Sequence, residues 1–137
     1  MGNMKYTGLA VALTALALGQ LSKWGLLSVM DIAHRPPIEV TPFFNLVMVW
    51  NRGVSFGMFS GGLPPLAFVF LSLAICAVLA VWLARADKQW LAVALGLTIG
   101  GALGNAVDRL RFGAVADFFD FYVQNLHWPA FNVADAC

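Results

Sequence analysis

Charged side chains are scarce in this sequence. Asp, Glu, Lys and Arg make up 11% of its 137 residues, whereas hydrophobic residues make up 61%. Soluble domains contain roughly 25% charged and roughly 45–50% apolar residues, so this composition excludes an ordinary water-soluble fold. The formal net charge of +1 provides no basic surface for nucleic acid. We therefore expect one integral membrane domain, residues 1–137, with membrane lipid and no nucleic acid among its partners.

Cysteine and histidine are also rare, with two residues of each. Cys76 lies in an apolar run and Cys137 ends the sequence, a spacing that fits no metal or redox motif and predicts no disulfide. Ser55 lacks the Gly-x-Ser-x-Gly setting of a serine hydrolase, and neither histidine is tied to it by sequence. A serine triad is therefore disfavoured, with Lys23 left open as an alternative partner base.

Long apolar runs are plentiful, and three of them are long enough to cross a bilayer, which takes about 20 helical residues. They cover residues 6–29, 63–84 and 90–107. The first begins like a signal peptide but continues without a small-residue cleavage site, so we interpret it as a retained anchor. Residues 131–137 start what would be a fourth span, and we interpret the chain as C-terminally truncated. The predicted fold class is an all-α polytopic membrane bundle.

Residues 43–50, between the first two spans, are apolar and rich in β-forming residues, and prolines precede them. They predict a small strand or hairpin at the membrane surface. The second and third spans are joined only by residues 85–89, so these helices must be antiparallel neighbours. A count of Lys and Arg would place the N-terminus outside, but several of the arginines lie in motif-like segments. The rule therefore leaves the topology open.

Two of the seven carboxylates lie in apolar surroundings, Asp117 just beyond the third span and Asp135 within residues 131–137. An ionisable residue at membrane depth is a functional candidate, and facing segments could bring these two together. Two close carboxyls share one proton, so one can act as general base and the other as general acid in peptide hydrolysis. The alternative is that each caps a helix or pairs with an arginine.

Two further polar segments invite a functional or a structural interpretation. Asn105 and Asp108 share one helical face, which favours a structural network at the end of that helix. Arg109 could bind an anionic or carbonyl-rich group or extend to the interface. Residues 51–57 offer an amide side chain and flexible glycines that suit an extended peptide, and the alternative is an ordinary turn.

Three ordered motifs resemble, over nearly the whole chain, those of the bacterial lipoprotein signal peptidase family, signal peptidase II. The motifs are Asn51-x-Gly53 with Phe56, Gly104-Asn105-x-x-Asp108-Arg109-x-x-x-Gly113-x-Val115-x-Asp117-Phe118, and Phe131-Asn132-x-Ala134-Asp135. The resemblance implies a four-helix bacterial inner-membrane aspartyl endopeptidase with both termini in the cytoplasm. It also implies an extracytoplasmic β-element between helices 1 and 2, with the active site near that face.

The resemblance further implies that Asp117 and Asp135 are the catalytic pair. The positions that would bind substrate or support the site are Asn51, Gly53, Asn105, Asp108, Arg109, Asn132 and Ala134. Its substrates are prolipoproteins, cut just before a cysteine that carries diacylglycerol. It implies no metal and no organic cofactor, and inhibitors of the globomycin type would bind at the pair. We expect a monomer.

One position departs from the family pattern: Gly19 stands where the family usually has Asp, four residues before Lys23. This departure and the expected truncation keep two alternatives open, an inactive truncated homologue and a non-catalytic membrane scaffold. A transporter is a weaker alternative, since the sequence shows neither repeated halves nor a broken helix.

Overall fold

Three long helices dominate the computed structural model, which describes residues 2–53 and 63–137. Each is long and apolar enough to cross a membrane. Their bounds are Gly2–Trp24 for α1, Pro65–Ala84 for α2 and Gln89–Phe112 for α3, and α1 continues as a π-helical turn over Gly25–Val29. A short helix, α4, covers Val133–Ala136, and a single 3-10 turn covers Ile32–His34.

Local sequence explains where α2 and α3 begin and end. Pro65 occupies the first turn of α2, where its missing N–H costs nothing. Gly113 caps α3 with a φ of 72°, a left-handed conformation that glycine adopts without strain. Because α3 continues past residue 107, the end of the predicted span, Asp108 and Arg109 belong to its last turns rather than to the following loop.

Helices α1 and α3 run parallel to each other and in close contact. Residues further along α1 contact residues further along α3. Gly8 faces Gly96, and Ala12 faces Gly100. A Cβ atom at Gly100 would lie 2.5 Å from the carbonyl oxygen of Ala12, so only glycine fits there. Lipid supplies little hydrophobic drive between helices, and small residues that let backbones approach are the usual solution.

An antiparallel sheet corrects the all-α prediction. Its strands are β1 Ile38–Thr41, β2 Phe44–Asn51, β3 Val115–Val123 and β4 Leu126–His127, in the order β1-β2-β3-β4. The strand or hairpin predicted at residues 43–50 is confirmed by β1 and β2. The prediction missed β3, which follows α3, because its first four residues are all buried and show no apolar–polar alternation.

Strand register brings distant polar residues together at one end of the bundle. Asn51 pairs with Val115 and Val49 with Asp117, so the end of β2 lies beside the start of β3. Phe131 forms an isolated antiparallel bridge with Phe119, which returns the chain to the same place before α4. The motif residues after α1, α3 and β4 therefore meet where the sheet joins the helices.

The close contact between α1 and α3 predicts that Gly100→Ala destabilises the protein by about 1–3 kcal/mol, because the added methyl meets backbone rather than a movable side chain. Gly104→Ala is the matched control. Its Cβ would lie 3.6 Å from the Cβ of Ala134, an ordinary contact, and it gains the same helix propensity. Thermal unfolding in detergent measures both; equal melting temperatures would contradict the close-packing argument.

Candidate active site

Asp117 is a buried carboxyl on β3, with 2% of its surface exposed. The side-chain amide of Asn51 donates to its Oδ2 at 3.2 Å, and that of Asn132 donates to its Oδ1 at 2.7 Å. The backbone N–H of Gly53 donates to Asn51 Oδ1 at 3.0 Å, which turns the amide nitrogen of Asn51 toward Asp117. Three separate segments thus converge on one carboxyl group.

Asp117 is also poised to hold a proton. Burial, and then repulsion from the negative charge of Asp135, raise the pKa of Asp117 from 3.8 to about 7, against the opposing hydrogen bonds from Asn51 and Asn132. A hydrogen bond between the two carboxyls acts in the same direction. The two groups are therefore close enough to share a proton, which is the arrangement that general acid–base chemistry requires.

Asp135 differs from Asp117 because it is exposed, in the first turn of α4. It forms a capping box with Asn132: Asp135 N–H donates to Asn132 Oδ1 at 3.1 Å, and Asn132 N–H donates to Asp135 Oδ2 at 3.1 Å. The amide of Asn105 donates to Asp135 Oδ1 at 2.8 Å. Both carboxylate oxygens thus accept hydrogen bonds from fixed donors.

Asn132 connects the two carboxyls and is fully buried. Besides Asp117, its amide nitrogen faces Ala116 O at 3.1 Å and Asn105 Oδ1 at 3.2 Å, while its oxygen accepts from the backbone of Asp135. Ala134, two residues along, packs against Gly101 and Gly104 of α3. This packing seats α4 on the helix bundle and holds Asp135 beside Asp117.

A buried ion pair lies beneath the carboxyls. Lys23 Nζ is 2.7 Å from Asp108 Oδ2, and both side chains are at most 3% exposed. Gln20 donates to Asp108 Oδ1 at 3.3 Å, and the backbone N–H of Ala116 donates to Oδ2 at 3.0 Å. Lys23 also donates to Asn105 Oδ1 at 3.3 Å. The pair therefore joins α1 and α3 to the start of β3.

Sequence reasoning missed Lys23 as the partner of Asp108, because 85 positions separate them in the chain. The available signal was Lys23 itself, a charged residue in the last turn of an otherwise apolar span.

Arg109 lies close to both carboxyls without pairing with either. Its guanidinium stacks over the ring of Phe68 at 5.2 Å, and within the described ranges it forms no ion pair. The charges of Asp117, Asp135 and Asp108 all act on it. Ser55 and Phe56 lie outside the described residues.

Outside this cluster, Asp120 and His127 form a second pair, with His127 Nδ1 2.9 Å from Asp120 Oδ1. It links β3 to β4 on the part of the sheet away from α4. Among the residues that the structure describes, no group of three or more His, Cys, Asp or Glu side chains is arranged to hold a metal ion.

Apolar helices joined to a sheet with paired carboxyls at the junction define a multi-pass membrane protein. Residues 11–137 match the family model described as signal peptidase (SPase) II. The lipoprotein signal peptidase of Nitrobacter hamburgensis is 45% identical over 135 residues, which cover 94% of this chain and 82% of that protein. That of Methylorubrum extorquens is 48% identical over 132 residues, covering 95% and 77%. The chain belongs to the signal peptidase II family, and it is a protease.

Solved structures agree with this assignment. A bacterial membrane enzyme determined by the in meso method at 2.3 Å resolution aligns with a TM-score of 0.80 at 29% identity, covering 95% of this chain and 79% of that one. Another, at 1.9 Å resolution, aligns with a TM-score of 0.77 at 30% identity, covering 95% and 83%. The helix bundle with its antiparallel sheet is thus a known membrane-enzyme fold.

The raised pKa of Asp117 predicts a pH-dependent stability. A carboxyl whose pKa is higher in the folded than in the unfolded chain binds its proton more tightly when folded, so stability falls as pH rises from about 4 to about 7. We expect the melting temperature of the parent to fall between about pH 5 and pH 7, and that of Asp117→Asn to change less, a difference on the order of 2 kcal/mol.

Asp87→Asn, in the exposed turn between α2 and α3, is the control and should keep the slope of the parent. Parallel pH profiles for the parent and Asp117→Asn would show that Asp117 is not a protonated buried carboxyl.

Proposed function

We propose that this chain is an aspartyl endopeptidase that removes the signal peptide from prolipoproteins by cleaving before the diacylglyceryl-modified cysteine. Membership of the signal peptidase II family supports the substrate class and disfavours the scaffold alternative. The observation that carries the aspartyl mechanism is the proximity of Asp117 and Asp135. Asn132 holds both, because its side-chain amide donates to the Asp117 carboxyl and its backbone N–H donates to the Asp135 carboxyl.

In this mechanism the two carboxyls share one proton. The ionised member takes a proton from the water that attacks the scissile carbonyl carbon, while the protonated member donates its proton to the carbonyl oxygen. Collapse of the tetrahedral intermediate returns that proton and breaks the C–N bond, and the amine leaves with a proton from the other carboxyl. Every proton is then accounted for by the pair and one water.

The site suits a lipid-modified substrate because it lies at the end of α3, where a membrane span passes into the sheet. We propose that the lipid chains stay in the bilayer while the peptide extends along this junction. The proposed location is the bacterial inner membrane, with the site near the extracytoplasmic face. Asn51 donates to Asp117, and Gly53 donates to Asn51. Both would contact the peptide, and Arg109 would bind a substrate carbonyl.

Two finer proposals follow from the same site. A cyclic peptide inhibitor of the globomycin type would bind at the carboxyl pair, because it presents peptide carbonyls where the substrate does. We propose that a single chain suffices for activity, since the described residues of this chain already supply both carboxyls and a hydrogen-bond donor to each of their four oxygens.

The aspartyl mechanism predicts that Asp117→Asn and Asp135→Asn each reduce cleavage of a diacylglyceryl-modified prolipoprotein by about 10²- to 10⁴-fold, the usual contribution of general acid–base catalysis. Cleavage in detergent, followed by gel shift, measures this. Asp120→Asn is the matched control: it removes a carboxyl from the same strand, but one that pairs with His127. Comparable losses in all three variants would indicate damage to the sheet rather than catalysis by the pair.

Cleavage should also depend on pH in a defined direction. Since the pair must keep one proton and the pKa of Asp117 is about 7, kcat/KM should fall as pH rises beyond about 7. A rate that stays constant to about pH 9 would exclude a proton donor with this pKa.

A further inference from the structure

The side-chain amide of Asn105 has only one orientation that suits its neighbours. Its oxygen faces two donors, Lys23 Nζ at 3.3 Å and Asn132 Nδ2 at 3.2 Å, and its nitrogen faces Asp135 Oδ1 at 2.8 Å. The opposite orientation would set donor against donor twice and oppose its oxygen to a carboxylate. The hydrogen-bond network thus decides the orientation of the Asn105 amide. Within this network Lys23 is a charged group that can only donate, so the atom of Asn105 that faces it must be the oxygen.

Lys23 is itself held in place. Its ammonium is buried and ion-paired with Asp108, whose other contacts are Gln20 and the backbone of Ala116. A buried ammonium cannot turn away without losing this pair, at a large cost in desolvation. The orientation of Asn105 is therefore as rigid as the ion pair behind it.

The two carboxyls of the pair have unequal surroundings. Asp117 has 2% of its surface exposed, whereas Asp135 is exposed and can be hydrated. Burial disfavours a charge, so the negative charge is more stable on the exposed member. Asn105 adds to this difference because its nitrogen donates to Asp135 and not to Asp117.

We propose that Lys23 is a positioning residue that, by orienting Asn105, keeps the negative charge of the pair on Asp135 and the proton on Asp117. The catalytic consequence of this proposal rests on the proposed function. Asp135 is then the base that activates water, and Asp117 is the acid that protonates the carbonyl oxygen. Lys23 touches neither substrate nor the reacting atoms, and it acts only through Asn105.

Other groups near the pair favour a charge on Asp117 or are neutralised. Arg109 on α3 acts more strongly on Asp117 than on Asp135. The amides of Asn51 and Asn132 both donate to Asp117, and Asp108 is neutralised by Lys23. From β3, Asp117 itself faces Asp135. Lys23 on α1 donates to Asn105, whose nitrogen donates directly to Asp135. Asn105 reaches Asp117 only indirectly, through the amide of Asn132.

The test is a carbon NMR titration of the whole protein in detergent, with aspartate labelled at Cγ and each signal assigned from its Asp→Asn variant. In the parent, we expect the titration step near pH 7 to be the protonation of Asp117 alone. In Lys23→Met, the oxygen of Asn105 keeps only one of its two donors, Asn132, so its amide is held less firmly and the proton should no longer be confined to Asp117. A step already shared in the parent, or one still confined to Asp117 in Lys23→Met, would overturn the proposal.

A second variant guards against misfolding, because Lys23→Met leaves Asp108 buried without a counter-ion. The double variant Lys23→Met with Asp108→Asn removes both charges and keeps an oxygen that can accept from the Ala116 N–H. It should fold, show the shared titration step, and lose about 10-fold in kcat with KM unchanged. A double variant that titrates like the parent overturns the role of Lys23. A parent that titrates as expected but cleaves no prolipoprotein contradicts the proposed function alone.

Discussion

The buried ion pair between Lys23 and Asp108 is the interaction on which the rest of the structure depends. An unpaired charge is costly when it is buried away from water. Because Lys23 lies on α1 and Asp108 on α3, neither helix can shift relative to the other without breaking the pair. Asp108 also accepts a hydrogen bond from Ala116, one residue before Asp117, which fixes where the chain leaves α3 and enters the sheet. One carboxylate thus sets the helix pairing and the start of β3 together.

Close helix packing makes this pair possible. Lys23 and Asp108 come within 2.7 Å because α1 and α3 approach through glycine and alanine along their whole contact, from Gly8 to Gly104. In lipid, apolar surface does not select one helix partner over another, so small residues and buried polar groups must do so. The same glycine face of α3 receives Ala134, so the packing that joins the spans also seats the loop that carries Asp135.

Much of this could be predicted from sequence, because apolar runs of membrane length and carboxylates within apolar segments are local signals. The apolar run at 43–50 likewise indicated its strand. Strand β3 could not be recognised, since residues 115–118 are buried throughout and lack a period of two. The pairing of Lys23 with Asp108 could not be predicted either, because it depends on helix packing. The contrast between buried Asp117 and exposed Asp135 could not be predicted because it depends on strand register.

The positions of Lys23 and Arg109 explain how the buried carboxyl of Asp117 can stay protonated near two cations. If Lys23 paired directly with Asp117, the opposite charge would stabilise the carboxylate, and the pKa of Asp117 would fall far below neutrality. Because Lys23 pairs with Asp108, its contact toward the carboxyl pair is the neutral amide of Asn105, which donates directly to Asp135. Arg109 stacks on Phe68 and likewise forms no ion pair with Asp117 within the described part of the chain. Burial can then keep Asp117 protonated near neutral pH, against the hydrogen bonds from Asn51 and Asn132 that favour its ionised form.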